Sequence, residues 1–400
     1  MEIKSLNLGA TIPEKLSKTA TVEIEIETSD EQLTGLIDKV QANLQSWLEY
    51  GLALGEIILK SYISNGELEI QYVLPDNYVI LEVDSRDNIR RIVFIDTHTT
   101  GKKYLRRLEE HRWSRDNTYV ISNRVFKGDS HNLGKEVSLK NTPWQELEAE
   151  TTIQFIDRPL FGFYRNPMAN NLDPYSVRGI SCFANALSLI QDADEQYSRY
   201  LWEFEAKETA IDVDITMLDE HMDLPQTRSR LYRGLNANSN DFYKVYSPDI
   251  REEALNKGLN SILRRIEDVC GLDRGSLSDE LIIDKTATEV KASKQRLFVT
   301  VQQIQKAMGV AIRDLFHSLH LWRMLLTQKH LEEPELSISW GDSVLDDSET
   351  TRNIKLQEYN SGIISAETYL MEVYGVSEDI ARDMMGETAP EDDLEEWGSV

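Results

Sequence analysis

The chain has 400 residues and carries 69 acidic side chains against 43 basic ones, for a formal net charge of −26. This length allows two or three structural regions with a sizeable core. The acidic balance argues against tight wrapping of nucleic acid, which requires Lys and Arg to displace counterions. Two cysteines, Cys182 and Cys270, exclude a disulfide framework. With no apolar run of transmembrane length, we expect a soluble, intracellular protein without a membrane partner.

The first part of the chain changes from a helical to a strand-like pattern. Apolar spacing predicts a helix over residues 30–54, with Ser29 and Gln32 as a capping box. Residues 57–139 hold β-branched and aromatic runs separated by turn clusters, which predicts a meander of antiparallel strands. Glu82 and Asp84 in this meander allow a metal-dependent nuclease as an alternative, although the following lysine of such sites is missing.

Two long helices are predicted in the middle of the chain. The first begins at Asp173 and Pro174, a favoured cap arrangement, and runs to about Lys207. The second begins at Ser247 and Pro248 and ends at Cys270, before a glycine.

The segment between these helices is polar, with strand candidates in AIDVDI and FYKVY. It carries three arginines, Arg228, Arg230 and Arg233. They form either a solvated face balanced by acids or a contact patch for a protein or a phosphate.

A loop from Gly271 to Lys285 follows, and a loop of this length is usually functional or mobile. Its polar candidates are Asp273, Arg274, Ser276, Ser278, Asp279, Glu280 and Lys285. Thr286 and Glu289 then form a capping box. An apolar stripe from Leu297 to Leu326 predicts a helix of about 40 residues, or roughly 60 Å.

The last part of the chain is predicted to hold one strand, ELSISW, then short helices and an acidic, disordered tail. Nucleotide-binding, zinc-protease and nucleophile-elbow motifs are missing from the sequence. His317 and His320 lie three residues apart, and partly exposed helix histidines are favoured over a metal site. We therefore predict no catalytic residue, no metal and no cofactor.

The order of these parts resembles the portal proteins of tailed bacteriophages, in the branch found in phages of Gram-positive bacteria. The resemblance covers about Leu48 to Leu370. It rests on GLALGE at 51–56, EEH at 109–111, LGKEVSL at 133–139, PLFGFYRNPMANN at 159–171, SPDIREE, KTATEV and GIISAETYL at 362–370.

The resemblance implies an α+β subunit of a homo-oligomeric ring, usually a dodecamer, at one capsid vertex. Double-stranded DNA would pass through its channel, and the terminase, the head–tail adaptor and the major capsid and scaffolding proteins would be partners. It would be found in the virion, and in the host cytoplasm during assembly. The expected regions are a wing at 1–175 and 287–345, stem helices at 176–207 and 247–270, a clip at 208–246, a channel loop at 271–286 and a helical crown at 346–400.

The resemblance implies functions for two sets of residues. The loop side chains named above would line the channel, and Arg228, Arg230 and Arg233 would contact a partner at the clip. A monomeric head-assembly adaptor without a channel remains a second alternative.

Overall fold

The computed structural model of the protein describes residues 3–64, 66–101, 103–114, 116–156, 158–207, 210–214, 232–235, 243–246, 249–279, 287–341 and 355–374. Its helices are α1 (Leu8–Thr21), α2 (Glu31–Leu54), α3 (Leu187–Ala206), α4 (Glu252–Cys270), α5 (Ala287–Thr327) and α6 (Ala366–Tyr374). The chain divides into two compact units, Met1–Trp340 and Gly341–Val400. Within the second unit, residues 355–360 are helical, and the rings of Tyr359 and Tyr369 pack 5.6 Å apart.

The described residues of the first unit form four sheets, which confirms the mixed α+β class. Their strands are β1 (Glu25–Thr28), β2 (Glu56–Ser64), β3 (Glu67–Val73), β4 (Tyr78–Val83), β5 (Ile89–Thr100), β6 (Lys103–Trp113), β7 (Tyr119–Gly128), β8 (Lys135–Val137), β9 (Glu150–Ile153), β10 (Phe161–Arg165), β11 (Ala210–Asp214), β12 (Tyr232–Leu235), β13 (Tyr243–Tyr246) and β14 (Leu336–Ser339). The predicted meander is confirmed as the antiparallel ladders β2–β3 and β4 to β8, with β9 paired to β7.

The main core forms where α2 and α5 pack on the sheet of β10, β2 and β3, and α1 packs on these two helices. The predicted long helix is confirmed as α5, whose 41 residues bury Val301, Ile304, Met308 and others at helical spacing. Strand β10 approaches α5 closely, because a Cβ added at Gly162 would lie 1.9 Å from the Ala311 carbonyl oxygen. These contacts make α5 the central support of the unit.

Helix α2 begins one residue later than the predicted capping box requires. Its N-cap is Asp30, whose carboxylate accepts a hydrogen bond of 3.0 Å from the Gln32 backbone N–H. Ser29 lies outside the helix, and its hydroxyl accepts instead from the backbone N–H of Glu335. The predicted pair of Ser29 and Gln32 is therefore wrong, because Asp30 supplies a stronger, charged acceptor at the helix start.

A buried network of charged groups lies between the sheet of β10, β2 and β3 and the sheet of β4 to β8. Glu109 accepts from Lys60 at 2.6 Å and lies 2.6 Å from the Arg107 guanidinium. His111 contacts the same carboxylate at 2.7 Å and Tyr119 at 2.9 Å. Burial acts to raise the pKa of Glu109, but Lys60, His111 and Arg107 together hold it well below its ordinary value. The EEH motif at 109–111 thus contributes to the core between two sheets.

The long helix that was predicted to begin at Asp173 begins much later in the chain. That carboxylate accepts from the Tyr175 backbone N–H in a turn, and α3 starts at Leu187. The intervening chain crosses the start of β2, where the buried Glu56 carboxylate accepts a hydrogen bond of 2.7 Å from the Gly179 N–H. A Cβ at Gly179 would lie 2.0 Å from the Gly55 carbonyl oxygen. This close backbone contact replaces the predicted helical turns.

The helix predicted from Ser247 to Cys270 is confirmed in position but is shorter at its start. Helix α4 runs from Glu252 rather than Ser247, and it ends at Cys270 as expected. Among the described residues, no helix is both long and apolar enough to cross a bilayer.

Candidate functional site

The segment that follows α4 turns sharply at a glycine. Gly271 has a φ of 72°, in the left-handed region that favours glycine, and its N–H binds the Glu267 carbonyl oxygen. A Cβ at this position would lie 2.3 Å from Thr300 Oγ1 of α5. Leu272 follows, 2 % exposed, and its N–H donates to the same Glu267 carbonyl oxygen at 2.9 Å. The turn therefore seats the loop between α4 and α5.

One buried carboxylate then organises the described part of the loop. Glu267 of α4 has no exposed surface, and its Oε1 accepts from the backbone N–H groups of Gly275, Leu277 and Ser278 at 3.2, 2.6 and 2.8 Å. Its Oε2 accepts from the Ser278 hydroxyl at 3.1 Å. A charge without solvent requires such donors, and here four of them wrap the chain around the side chain.

A second polar residue of α4 holds the end of this segment. Asn260 accepts from the Asp279 backbone N–H at 2.7 Å and donates to its carboxylate at 2.9 Å. The same amide donates to the Asn256 carbonyl and side-chain oxygens, which fixes its orientation. Residues 275–279 are thereby attached to α4 at both ends.

The exposed edge of the loop carries an ion pair that reaches α5. Asp268 accepts from Arg274 of the loop at 3.2 Å and from Arg296 of α5. Burial acts to raise the pKa of Asp268, but the two arginines outweigh it and the pKa lies below its ordinary value. One carboxylate thus links the loop to both long helices.

These contacts place the predicted loop residues in different environments. Arg274 is exposed and Ser278 is buried, whereas Asp273 and Ser276 form a turn in which the Ser276 N–H binds the Asp273 carbonyl oxygen at 3.2 Å. Within the described part of the loop, Glu267 and Asn260 hold the backbone of residues 275–279. Other candidates, namely Glu280, Lys285, Thr286 and the side chain of Glu289, lie outside the described residues.

The far ends of α3 and α4 are joined by a second buried carboxylate. Glu203 is 2 % exposed and accepts from Arg251 Nη2 at 2.9 Å and from Lys207 Nζ at 2.8 Å. Hydrogen bonds from Arg251 and then Lys207 lower the pKa of Glu203 to about 2. Lys207 also donates to the Asp249 carbonyl oxygen at 2.5 Å. This clasp fixes the separation of the two helices where the polar segment leaves them.

The polar segment between the helices contains a small three-stranded sheet. Strand β11 is central, parallel to β12 and antiparallel to β13, which confirms the two predicted strands and adds a third. Arg233 lies in β12 with its backbone opposite Asp212 of β11. Arg228 and Arg230 lie outside the described residues. Of the three arginines predicted to form a patch, the structure describes the backbone of Arg233.

The sequence did not identify the side chains that hold the loop and the helix ends, which are Glu267, Asn260, Glu203 and Arg251. Asn260 and Glu267 interrupt the apolar stripe of Leu259, Leu263 and Ile266 in α4. Two polar residues seven positions apart on one buried face indicate that each must have hydrogen-bond partners in the folded chain. Their partners are backbone N–H groups, which side-chain patterns do not indicate.

Asp84, an acid that the nuclease alternative requires, is held within a turn between strands. Its carboxylate accepts from Asn88, from Arg90 and from the Arg86 backbone N–H. The expectation that His317 and His320 are partly exposed is wrong, because both are buried, and His317 contacts Glu333 at 2.9 Å. No cluster of three or more His, Cys, Asp or Glu side chains suited to a metal occurs in the part of the chain that the structure describes.

Both cysteines are buried and have reduced, unpaired thiols. Burial raises the pKa of Cys270 to about 12 and that of Cys182 further. Cys182 lies before α3 rather than on a helix face, and its N–H donates to the Leu52 carbonyl oxygen at 2.9 Å.

The comparison with protein families gives one match across nearly the whole chain. The family described as phage portal protein, SPP1 Gp6-like, matches residues 19–397. No curated protein matches the sequence. The match includes every long helix from α2 onward, the loop after α4 and the small sheet between α3 and α4. The chain therefore belongs to the SPP1 Gp6-like family of phage portal proteins, a structural family of the phage capsid.

Proposed function

We propose that the chain is the subunit of a closed homo-oligomeric ring, most commonly a dodecamer in this family, at one vertex of the capsid. Double-stranded DNA passes through its channel during packaging and ejection. The family match over residues 19–397 carries this proposal. An antiparallel pair of long helices, held at one end by Glu203 and Arg251, supplies a rigid element of the kind that a channel wall requires.

The region assignment is part of the same proposal. The wing comprises 1–175 and 287–345, the stem 176–207 and 247–270, the clip 208–246, the channel loop 271–286 and the crown 346–400. Two features support the stem and clip. Helices α3 and α4 pack along each other, and the short sheet of β11, β12 and β13 lies between them in sequence.

The ring is tested by negative-stain microscopy and native mass measurement of the purified chain. We expect annular particles of one stoichiometry with a central hole. A monomer over a wide concentration range would contradict the ring and favour the adaptor alternative. Metal-dependent cleavage of DNA, lost on Asp84→Asn, would favour the nuclease alternative instead.

We further propose that the loop touches passing DNA. Arg274, Ser276 and Asp279 present polar groups there, and the acids of the loop keep contacts with phosphate transient. Because Glu267 and Asn260 bind residues 275–279, a deletion there would disturb the fold itself. A deletion of residues 281–284 shortens the loop without removing any residue that makes those hydrogen bonds, and it is the better test.

That deletion should leave ring assembly unchanged and reduce the yield or retention of packaged DNA. Replacing residues 281–284 by Gly-Ser-Gly-Ser is the matched control, since it preserves length and removes the side chains. Normal yields of full-length packaged genome from both variants would contradict the channel role.

The clip is proposed to contact the terminase and the head–tail adaptor through Arg228, Arg230 and Arg233, while the major capsid and scaffolding proteins surround the ring. Charges at the rim of an interface mainly change association rate and salt dependence. Reversal of the three arginines to Glu should weaken partner binding at low salt and leave the ring intact. The control reverses three lysines of the large sheet region, Lys127, Lys135 and Lys140. Equal binding by both triple variants would exclude the clip patch.

A further inference from the structure

The exposed flank of α4 is basic and has few partners of its own. Arg264 and Arg265 make no ion pair among the described residues, and Lys257, with a side chain 81 % exposed, reaches only Glu253 at 3.9 Å. The spacing 257, 261, 264 and 265 places these side chains on one face, opposite the buried stripe of Leu259, Leu263 and Ile266. This α4 flank consists of Lys257, Ser261, Arg264 and Arg265.

The exposed flank of α3 carries complementary charge. Asp192 is exposed without an ion pair among the described residues, and Glu195 pairs with Arg199 at 3.2 Å. Trp202, 51 % exposed, continues the same face and supplies an apolar surface. This α3 flank consists of Ser188, Asp192, Glu195, Arg199 and Trp202. The pairing of Glu195 with Arg199 makes Asp192 its least compensated charge.

The two flanks are also matched in height along the helices. Helix α3 runs antiparallel to α4, because Glu203 binds Arg251 and Gln196 donates to the Leu255 carbonyl oxygen at 3.4 Å. At about 1.5 Å per residue, Glu195 then lies near the level of Lys257, and Asp192 lies between that level and the level of Arg264 and Arg265. Rotation about an axis along this helix pair leaves heights unchanged. In a ring whose axis is parallel to this helix pair, a neighbouring copy brings acids opposite bases.

We propose that the α3 flank of one copy contacts the α4 flank of the next, with Asp192 and Glu195 facing Lys257, Arg264 and Arg265. Such a contact joins two different surfaces, as the closure of a ring by rotation requires. The inference rests on the proposed ring and names the surfaces that close it. DNA is the less favoured occupant of the α4 flank, because Glu252 and Glu253 begin the same helix and stand exposed beside it.

A charge-swap experiment tests this pairing in the full chain. The variants are Asp192→Lys with Glu195→Lys, Lys257→Glu with Arg265→Glu, and all four changes together. Each double variant places like charges across the contact and should weaken it on the order of tenfold at low salt. The fourfold variant restores opposite charges and should assemble like the unmodified chain. Ring fraction against concentration, measured by native mass and light scattering, is the readout.

The matched control for the α3 variant is Glu146→Lys with Glu150→Lys, which makes the same change in net charge at exposed positions of the large sheet region and should not alter assembly. Unchanged assembly of either double variant, or no recovery in the fourfold variant, would overturn the pairing. Intact rings of the α4 variant with altered DNA passage would instead assign that flank to DNA. A monomeric unmodified chain would remove the proposed ring itself, which separates the two failures.

Discussion

At the scale of single residues, buried carboxylates hold separate parts of the subunit together, and three of them have the largest sets of partners described above. Glu109 joins two sheets, Glu203 joins the ends of α3 and α4, and Glu267 holds the loop after α4. A buried charge is tolerated only where charge-assisted hydrogen bonds replace water. Each of these acids has several partners, so removal of one side chain affects several contacts at once.

The cost of losing Glu267 can be predicted from its partners. Glu267→Ala leaves three loop N–H groups without their acceptor and should lower the free energy of unfolding by about 3 kcal/mol. Glu267→Gln keeps one oxygen acceptor and should cost about 1–2 kcal/mol. Denaturant unfolding gives both values, and Glu253→Ala on the exposed face of the same helix is the control. A Glu267→Ala cost no larger than that of the control would contradict the role assigned to this side chain.

The clasp at Glu203 predicts a dependence on pH. Its pKa lies at about 2 in the folded chain against an ordinary 4.5, because Arg251 and Lys207 stabilise the charged form. The stabilisation is therefore complete above about pH 4.5 and is lost as the pH falls towards 2. Unfolding midpoints of the unmodified chain and Glu203→Gln should differ most above pH 4.5 and converge below it. Parallel pH profiles would show that the clasp contributes nothing.

At the scale of helices and turns, the junction of α4 and α5 depends on one backbone conformation. Gly271→Ala places a methyl group at a φ of 72° and against Thr300, so we expect a loss of about 2 kcal/mol in the free energy of unfolding. Gly35→Ala is the matched control, since nothing lies within 4 Å of its added Cβ in α2. That change should stabilise the chain by about 0.8 kcal/mol. Thermal unfolding should therefore shift in opposite directions, and a shift of both in the same direction would contradict the strain at Gly271.

Helix α5 and the strands of the meander were predictable because their periodicity is local. The stripe from Leu297 to Leu326 predicts a helix without knowledge of its partners. The start of α3 was not predictable, because Gly179 binds Glu56, more than a hundred residues away in sequence. Helix α1 was missed although Leu8, Ile12, Leu16 and others recur at a spacing of four, since Pro13 interrupts the run.

The position of the candidate site in the chain was predictable from the sequence, but the hydrogen bonds that order it were not. The sequence places a polar loop between two long helices, as the structure has it. Its order comes from Glu267 and Asn260, which bind backbone N–H groups of Ser278 and Asp279. Such groups are the same in every residue but proline, so no residue type in the loop indicates the contact.

At the scale of the whole molecule, the division at Trp340 predicts how the chain tolerates truncation. A chain that ends at Gly341 keeps the strand pair of β1 and β14 and should unfold at the midpoint of the first unit in the full chain. A chain that ends at 330 loses β14 and the contact of Glu333 with His317, and it should unfold at a lower temperature. Calorimetry distinguishes the two. Equal midpoints of the two truncated chains would show that β14 does not stabilise the first unit.

The pairing of β1 with β14 also sets an order in time during synthesis. Ile26 lies opposite Ile338, so more than three hundred residues must be made before the first strand finds its neighbour. Contacts between such distant residues form slowly, because a long loop has to close first. A chain still being translated therefore carries an open strand edge near its beginning, and the first unit is complete only when the ribosome has released residues past 339.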